Sequence, residues 1–180
     1  MDHLQRSRKP PTSHGDGSFT SQSFLKLGTG VIFEAGVLVF HPETIRIGDD
    51  VYVGHQAILK GYFRGEMHIG SGTWIGQQCF LHSAGSIFVG TDVGIGPGVK
   101  MLTSTHQDPG IHLPIMEGEL KFAPIVIGEG SDIGTSAVLL PGTVLGRGCI
   151  VGAGAVTKGT FPDYAVIAGV PAKVLKIRDR

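Results

Sequence analysis

His106 closes the run Thr103-Ser104-Thr105-His106 and opens a segment, 107–126, that carries Asp108, His112, Glu117 and Glu119 among Pro and Gly. An imidazole titrates near ~6.5, so at neutral pH it can accept a proton from a hydroxyl or amine without large tuning. A histidine that only caps a chain corner fits the same position, and residue type alone leaves both readings open. Glu117, Glu119 and Asp108 are the carboxylates that could orient such a base or an acceptor. Upstream, His82 and Ser83 place an imidazole beside a hydroxyl. At the chain's end Lys173, Lys176, Arg178 and Arg180 crowd together against Asp179 alone, a cationic cluster suited to phosphates or to a solvated helix end.

The elements that position these groups are written in a six-residue period. Its aliphatic members run Leu27, Phe33, Val39; Ile47, Val53, Leu59; Ile69, Ile75, Leu81; Val89, Ile95, Met101; Ile127, Ile133, Leu139; Leu145, Val151. A second row, four residues behind, is small or β-branched, and includes Ala57, Cys79, Val93, Ser131 and Cys149. A helix needs apolar residues at a 3.6 spacing, whereas a period of six divides into the two-residue alternation of strands. So short a unit cannot bury an apolar face alone, and successive units must stack. Gly follows most members, where the chain turns or coils approach closely. Five of the exceptions, Phe40, Lys60, His82, Leu102 and Leu140, fall on every third face, so one wall of a three-walled prism differs from the others.

Composition adds bounds. The chain has 180 residues, 29 of them Gly, and 15 basic against 15 acidic side chains. Balanced charge gives no broad polyanion or membrane-surface signal, so neither nucleic acid nor membrane is an expected partner. No apolar run is long enough to span a bilayer. Residues 1–22 hold Arg6, Arg8, Lys9, Pro10 and Pro11 without the apolar core of a secretory signal, and read as a flexible arm. Cys79 and Cys149 fall in the small inward row, as packed thiols of a protein in a reducing cytoplasm. The expected layout is an arm over 1–22, a β-helix over 23–156 and a tail or short helix over 157–180.

The period breaks most at Met101 to Ile127, which leaves 107–126 outside the repeat. A loop this long in a compact domain is usually functional. His106 stands on its stem, held by the rigid coil yet facing whatever the loop covers.

The repeat resembles the hexapeptide-repeat family, whose fold is the left-handed parallel β-helix; about five to six triangular coils are expected here. The coils after the loop are similar to the sugar-acetylating acyltransferases of that family. The run is Pro124-Ile125-Val126-Ile127-Gly128, Ile133-Gly134-Thr135, Leu140-Pro141-Gly142-Thr143-Val144-Leu145-Gly146, Val151-Gly152-Ala153-Gly154-Ala155-Val156-Thr157-Lys158 and Ala168-Gly169-Val170-Pro171-Ala172-Lys173-Val174. The resemblance implies transfer of an acetyl group from acetyl-CoA to a hydroxyl or amine of a sugar, sugar nucleotide or polysaccharide, with His106 as general base. It implies an oxyanion donor at the main-chain N–H of Thr135, and needs no metal. Gly134, Thr135, Gly152, Ala153 and Gly154 become the wall for the pantetheine arm, and Lys158, Lys173 and Lys176 the partners of the CoA phosphates. Pro171 is placed to open a short C-terminal helix. His82, Ser83 and Glu117 are the candidates for the acceptor. Family members are usually homotrimers with sites at subunit interfaces.

Two departures matter. Asp132 stands where many relatives have Trp before the Ile-Gly that follows the loop, and the N-terminal helical segment of the galactoside and maltose enzymes is missing. Enzymes acting on surface-polysaccharide sugars or sugar nucleotides are the better comparison. Two other classes share the fold: γ-class carbonic anhydrases, for which His82, His106 and His112 would be the zinc ligands, and non-catalytic β-helix subunits that serve assembly. The first needs ligands five apart, whereas His106 and His112 are six apart.

Overall fold

The computed structural model describes residues 12–179. Each aliphatic member of the period turns inward on a short strand, and strands one coil apart pair in parallel. The first wall stacks Lys26–Leu27, Ile45–Ile47, Met67–Ile69, Ile87–Val89, Ile125–Ile127, Val144–Leu145 and Thr160–Phe161. The second begins at Ile32–Phe33, passes Tyr52–Val53, Trp74–Ile75, Gly94–Ile95, Asp132–Ile133 and Ile150–Val151, and ends at Ala165–Gly169. The third runs from Leu38–Phe40 through Ile58–Lys60, Phe80–His82, Lys100–Leu102 and Val138–Leu139 to Val156–Thr157. The result is the left-handed β-helix type of architecture, with one core along the prism axis. Ile45, Leu59, Met67, Ile75, Leu81, Ile87, Ile95, Met101, Ile133 and Leu139 are wholly shielded there.

The glycines of the repeat serve close approach. A Cβ on Gly90 would lie 2.6 Å from the Glu129 nitrogen, and one on Gly128 2.5 Å from the Arg147 nitrogen. Coils therefore stack main chain to main chain at these corners, where no side chain fits.

The first wall has seven strands, more than the five to six coils expected, because the helix continues beyond residue 156. The period disappears there because Thr157 replaces an aliphatic residue on the inner face and the next inward step, to Phe161, is only four residues long. Thr157 is buried, and its Oγ1 lies 3.3 Å from Oγ1 of Thr143, which also donates to the Thr157 carbonyl at 3.0 Å. The expected C-terminal helix is corrected to a strand. Ala172–Ile177 folds back antiparallel on Ala165–Gly169 through Val170 and Pro171, with Gly169 opposite Ala172. A free sheet edge offers a row of unpaired N–H and C=O groups, and the returning strand pairs with them.

Residues 1–11 of the expected arm lie outside the described residues. Of the rest, Gly17 is buried and accepts a hydrogen bond from the Val39 N–H at 2.9 Å, and the Phe19 ring packs on Phe24 and Phe33. This stretch caps the first coil. No helix among the described residues is long and apolar enough to cross a membrane.

Candidate active site

Strand pairing at the stem of the long loop sets how His106 is presented. Ser104–His106 pairs antiparallel with Leu120–Phe122, with Ser104 opposite Phe122, Thr105 opposite Lys121 and His106 opposite Leu120. The hairpin thus has two faces and stands between two clefts. Its stem is tied down by Thr103, which donates to the His82 carbonyl at 2.6 Å and accepts from the Gly85 N–H at 2.8 Å.

On one side His106, Leu120 and Phe122 line a cleft of about 570 Å³ with Tyr62, Phe63, Arg64, Met116, Gly118 and Glu119. The half-buried His106 ring has its Nδ1 3.1 Å from the Gly118 carbonyl oxygen. A carbonyl only accepts, so Nδ1 carries the hydrogen and donates, and Nε2 is left with its lone pair. In that neutral tautomer Nε2 is the ring nitrogen free to accept a proton. On the other side Thr105 and Lys121 line a more apolar slot of about 430 Å³ with Leu102, Leu140, Pro141, Gly142, Lys158 and Gly159.

Thr135 lies elsewhere on the chain, at the corner between the second and third walls, whereas His106 projects from the corner between the third and first. Its hydroxyl donates to the Pro97 carbonyl at 2.7 Å, and its carbonyl accepts from Gly154 N–H at 2.9 Å. Its own N–H donates no hydrogen bond among the described residues. Gly134, Gly152, Ala153 and Gly154 stack on the same corner. A Cβ on Gly134 would sit 2.5 Å from the Ala153 nitrogen, so that glycine serves coil packing, whereas one on Gly154 would meet nothing within 4 Å. Lys158 belongs to the His106 corner; Lys173 and Lys176 stand exposed on the returning strand, opposite Ala168 and Val166. One chain therefore does not gather the base, the oxyanion donor and all the lysines on a single surface.

Of the acceptor candidates, His82 ends a strand of the third wall with its ring against Tyr62, the centroids 5.7 Å apart. Burial first, and then the charge of Lys60, pull its imidazole below the ordinary value. Ser83 is fully buried, with its hydroxyl aimed at the Lys60 carbonyl at 3.5 Å, and is not presented to a ligand. Glu117 is exposed on the loop; Glu119, two residues nearer the strand Leu120–Phe122, lines the cleft instead. His82, His106 and His112 do not form a metal-holding group among the described residues.

Residues 61–66 contribute what the repeat pattern passed over. Leu59 to Ile69 is a lengthened step, and its extra residues include Tyr62, Phe63 and Arg64. They leave the same corner as the long loop, two coils earlier, and form the opposite bank of the His106 cleft.

A family model described as bacterial transferase hexapeptide (six repeats) matches residues 124–159. A probable acetyltransferase of Mycobacterium tuberculosis is 31% identical over 154 residues, covering 84% of this chain and 49% of that protein. A putative lipopolysaccharide biosynthesis O-acetyl transferase of Escherichia coli K12 is 30% identical over 140 residues, covering 74% of this chain and 71% of its own length. The chain thus spans about half of the first relative. In three dimensions it is similar to an N-acyltransferase from Bacillus cereus in complex with dTDP and 3-hydroxybutyryl-CoA. The TM-score is 0.78 at 23% identity, over 89% of this chain and 86% of that one, a likeness of fold.

Proposed function

The chain belongs to the hexapeptide-repeat transferase family, and from that membership we propose that it moves an acetyl group from acetyl-CoA to a hydroxyl or amine of a saccharide. The observation that carries this reading is the His106–Gly118 contact, which leaves Nε2 as a proton acceptor inside a cleft. In the proposed reaction Nε2 takes the acceptor's proton as its oxygen or nitrogen attacks the thioester carbonyl. The oxyanion is met by the Thr135 N–H, a donor fixed before the reaction starts. The C–S bond then breaks, and the leaving thiolate takes the proton from His106.

The donor's needs suit this chain. Gly134, Gly152, Ala153 and Gly154, stacked on the Thr135 corner where Gly154 leaves the backbone open, are the wall for a thin pantetheine arm, with Lys158, Lys173 and Lys176 as phosphate partners drawn from the chains that share the site. Donor length is left open by the acyl-CoA of the structural neighbour, whose acyl group is longer than acetyl.

A trimer supplies what one chain lacks. The outward face of the third wall carries Leu38, Ile58, Phe80, Val138 and Val156 in one ladder, with Lys100 the polar rung. His106 and Thr135 flank opposite edges of that wall. Three chains packed wall to wall around a threefold axis would bring one chain's His106 edge against its neighbour's Thr135 edge. The reduced, buried Cys79 and Cys149 fit a cytoplasmic setting.

The deciding experiment is an assay of CoA release against a panel of sugars, oligosaccharides, sugar nucleotides and amines, with wild type and His106→Ala. Acceptor-dependent release by wild type alone is expected. Equal release by both would sink the assignment of the base. Val138→Glu is expected to disperse the trimer in sedimentation and to abolish release with it.

A further inference from the structure

Arg64 is exposed, and its guanidinium carbon lies 4.5 Å from the centroid of the Phe122 ring across the cleft from its own loop. Stacking of this kind fixes the plane of a guanidinium while leaving its N–H donors unspent. Among the described residues Arg64 makes no ion pair, although Glu119 lines the same cleft. A preoriented, unspent guanidinium matches a carboxylate or phosphate, which it can take with two parallel hydrogen bonds.

Beside it, the Tyr62 and Phe63 rings lie 4.5 Å apart, and Phe63 is 71% exposed. An aromatic face held open next to a cation suits a ligand with a flat C–H face and an anionic group. Sugar rings bearing a carboxylate or phosphate have both. The strip continues down the corner: Lys60 is in register with His82 on the third wall, and the His82 ring faces Tyr62.

We propose that the acceptor is an anionic saccharide, its charged group held by Arg64 and a sugar ring laid on Phe63, so that a hydroxyl of that ring or the next reaches His106. The proposal rests on the reading of His106 as the base, but the recognition it describes can be measured without turnover.

The experiment is calorimetric titration of the full chain, without acetyl-CoA, with three acceptors: a glucuronate-containing disaccharide, a hexose phosphate and a neutral disaccharide. Wild type is expected to bind at least one of the anionic saccharides on the order of tenfold or more tighter than the neutral one. Arg64→Gln is expected to erase that preference, Arg64→Lys to restore part of it, and Phe63→Ala to weaken charged and neutral saccharides alike. His106→Ala is expected to keep the preference, so a protein that binds in this pattern yet never releases CoA would lose the acyl-transfer reading and keep this one. The two anionic ligands separate a carboxylate from a phosphate requirement. Equal binding of charged and neutral saccharides by wild type, or a preference that survives Arg64→Gln, would overturn the proposal.

Discussion

The Nδ1 atom of His106 lies 3.1 Å from the carbonyl oxygen of Gly118, twelve residues along the chain. Between them the loop closes on itself again, with the Gln107 N–H donating to the Glu119 carbonyl at 2.8 Å. The imidazole is therefore fixed at both its tautomer and its rotation by main-chain groups, which do not titrate. Among the described residues Nδ1 is engaged by that carbonyl and not by Glu117, Glu119 or Asp108.

If Nε2 of His106 is the base, His106→Ala lowers kcat by roughly 10²–10⁴-fold. The ring is half-buried on a hairpin outside the core, so the melting temperature and the oligomeric state stay close to wild type. Stopped assays beside sedimentation check both halves. A variant that loses activity only because it dissociates would speak for a structural histidine.

Gly118 is predicted to be a positioning residue. A Cβ there would be driven onto the Gln107 carbonyl oxygen, so the main chain that carries the His106 acceptor must shift. Gly118→Ala is expected to lower kcat by about tenfold or more, with the acid limb of the pH–rate profile displaced from wild type. A fall in activity with an unmoved profile would mean that the carbonyl does not set the imidazole's behaviour.

The oxyanion assignment can be tested through a substitution the chain itself already contains. Pro97 occupies, one coil earlier, the same corner position as Thr135, and the Ser136 N–H donates to its carbonyl at 2.9 Å. Thr135→Pro therefore removes the N–H at a corner whose geometry accepts proline. A loss of about 10²–10³ in kcat is expected, whereas Thr135→Ala, which removes only the hydroxyl contact to Pro97, stays within a few-fold of wild type. Equal kcat in the two variants would take the amide out of the mechanism.

What could be read from the chain alone follows from the same physics. The six-residue row from Leu27 to Val151 is visible because each of its members is apolar, and it fades at Thr157, where a hydroxyl fills the next position of that row. The C-terminal strand was hidden for another reason: residues 172–177 have little period of their own, and what orders them is the open edge of Ala165–Gly169. The place of His106 on the loop stem could be read from the break in the period. Tyr62, Phe63 and Arg64 could not be ranked, because only the coil count places their corner two turns below that loop. Glu117 and Glu119 could not be separated either, because Glu117 ends the short turn Ile115–Glu117 while Glu119 lies against the strand Leu120–Phe122, a difference only the folded loop shows.

The repeat's glycines make a stability prediction. On Gly90 an added methyl would stand 2.6 Å from the Glu129 nitrogen and 2.9 Å from its Cα, both main chain of the next coil. Gly90→Ala is expected to cost at least the ~1–3 kcal/mol of an overpacked core. Gly154 has a φ of +67° with nothing within 4 Å of such a methyl, so Gly154→Ala carries only the ~1–2 kcal/mol of the left-handed conformation. Urea titration of both variants checks the order, and a smaller loss at Gly90 than at Gly154 would refute close approach as the reason for the repeat.

His82 gives stability a pH dependence with a definite sign. Its imidazole is depressed below 6.5 by burial first, then by the charges of Lys60 and His14, while the Tyr62 ring that faces it carries no charge. An unfolded chain therefore binds a proton at His82 before the folded one does, and stability is full above about 6.5 and falls as the pH drops from there to the folded-state value. His14, depressed by burial and by Lys60 and His41, acts in the same direction at the same corner. Wild type is thus expected to have a lower urea midpoint at mildly acidic than at neutral pH. His82→Gln, which keeps the bulk without the titration, reduces the difference, and His14→Gln reduces it further. Unchanged pH dependence in the double variant would place the acid sensitivity elsewhere in the prism.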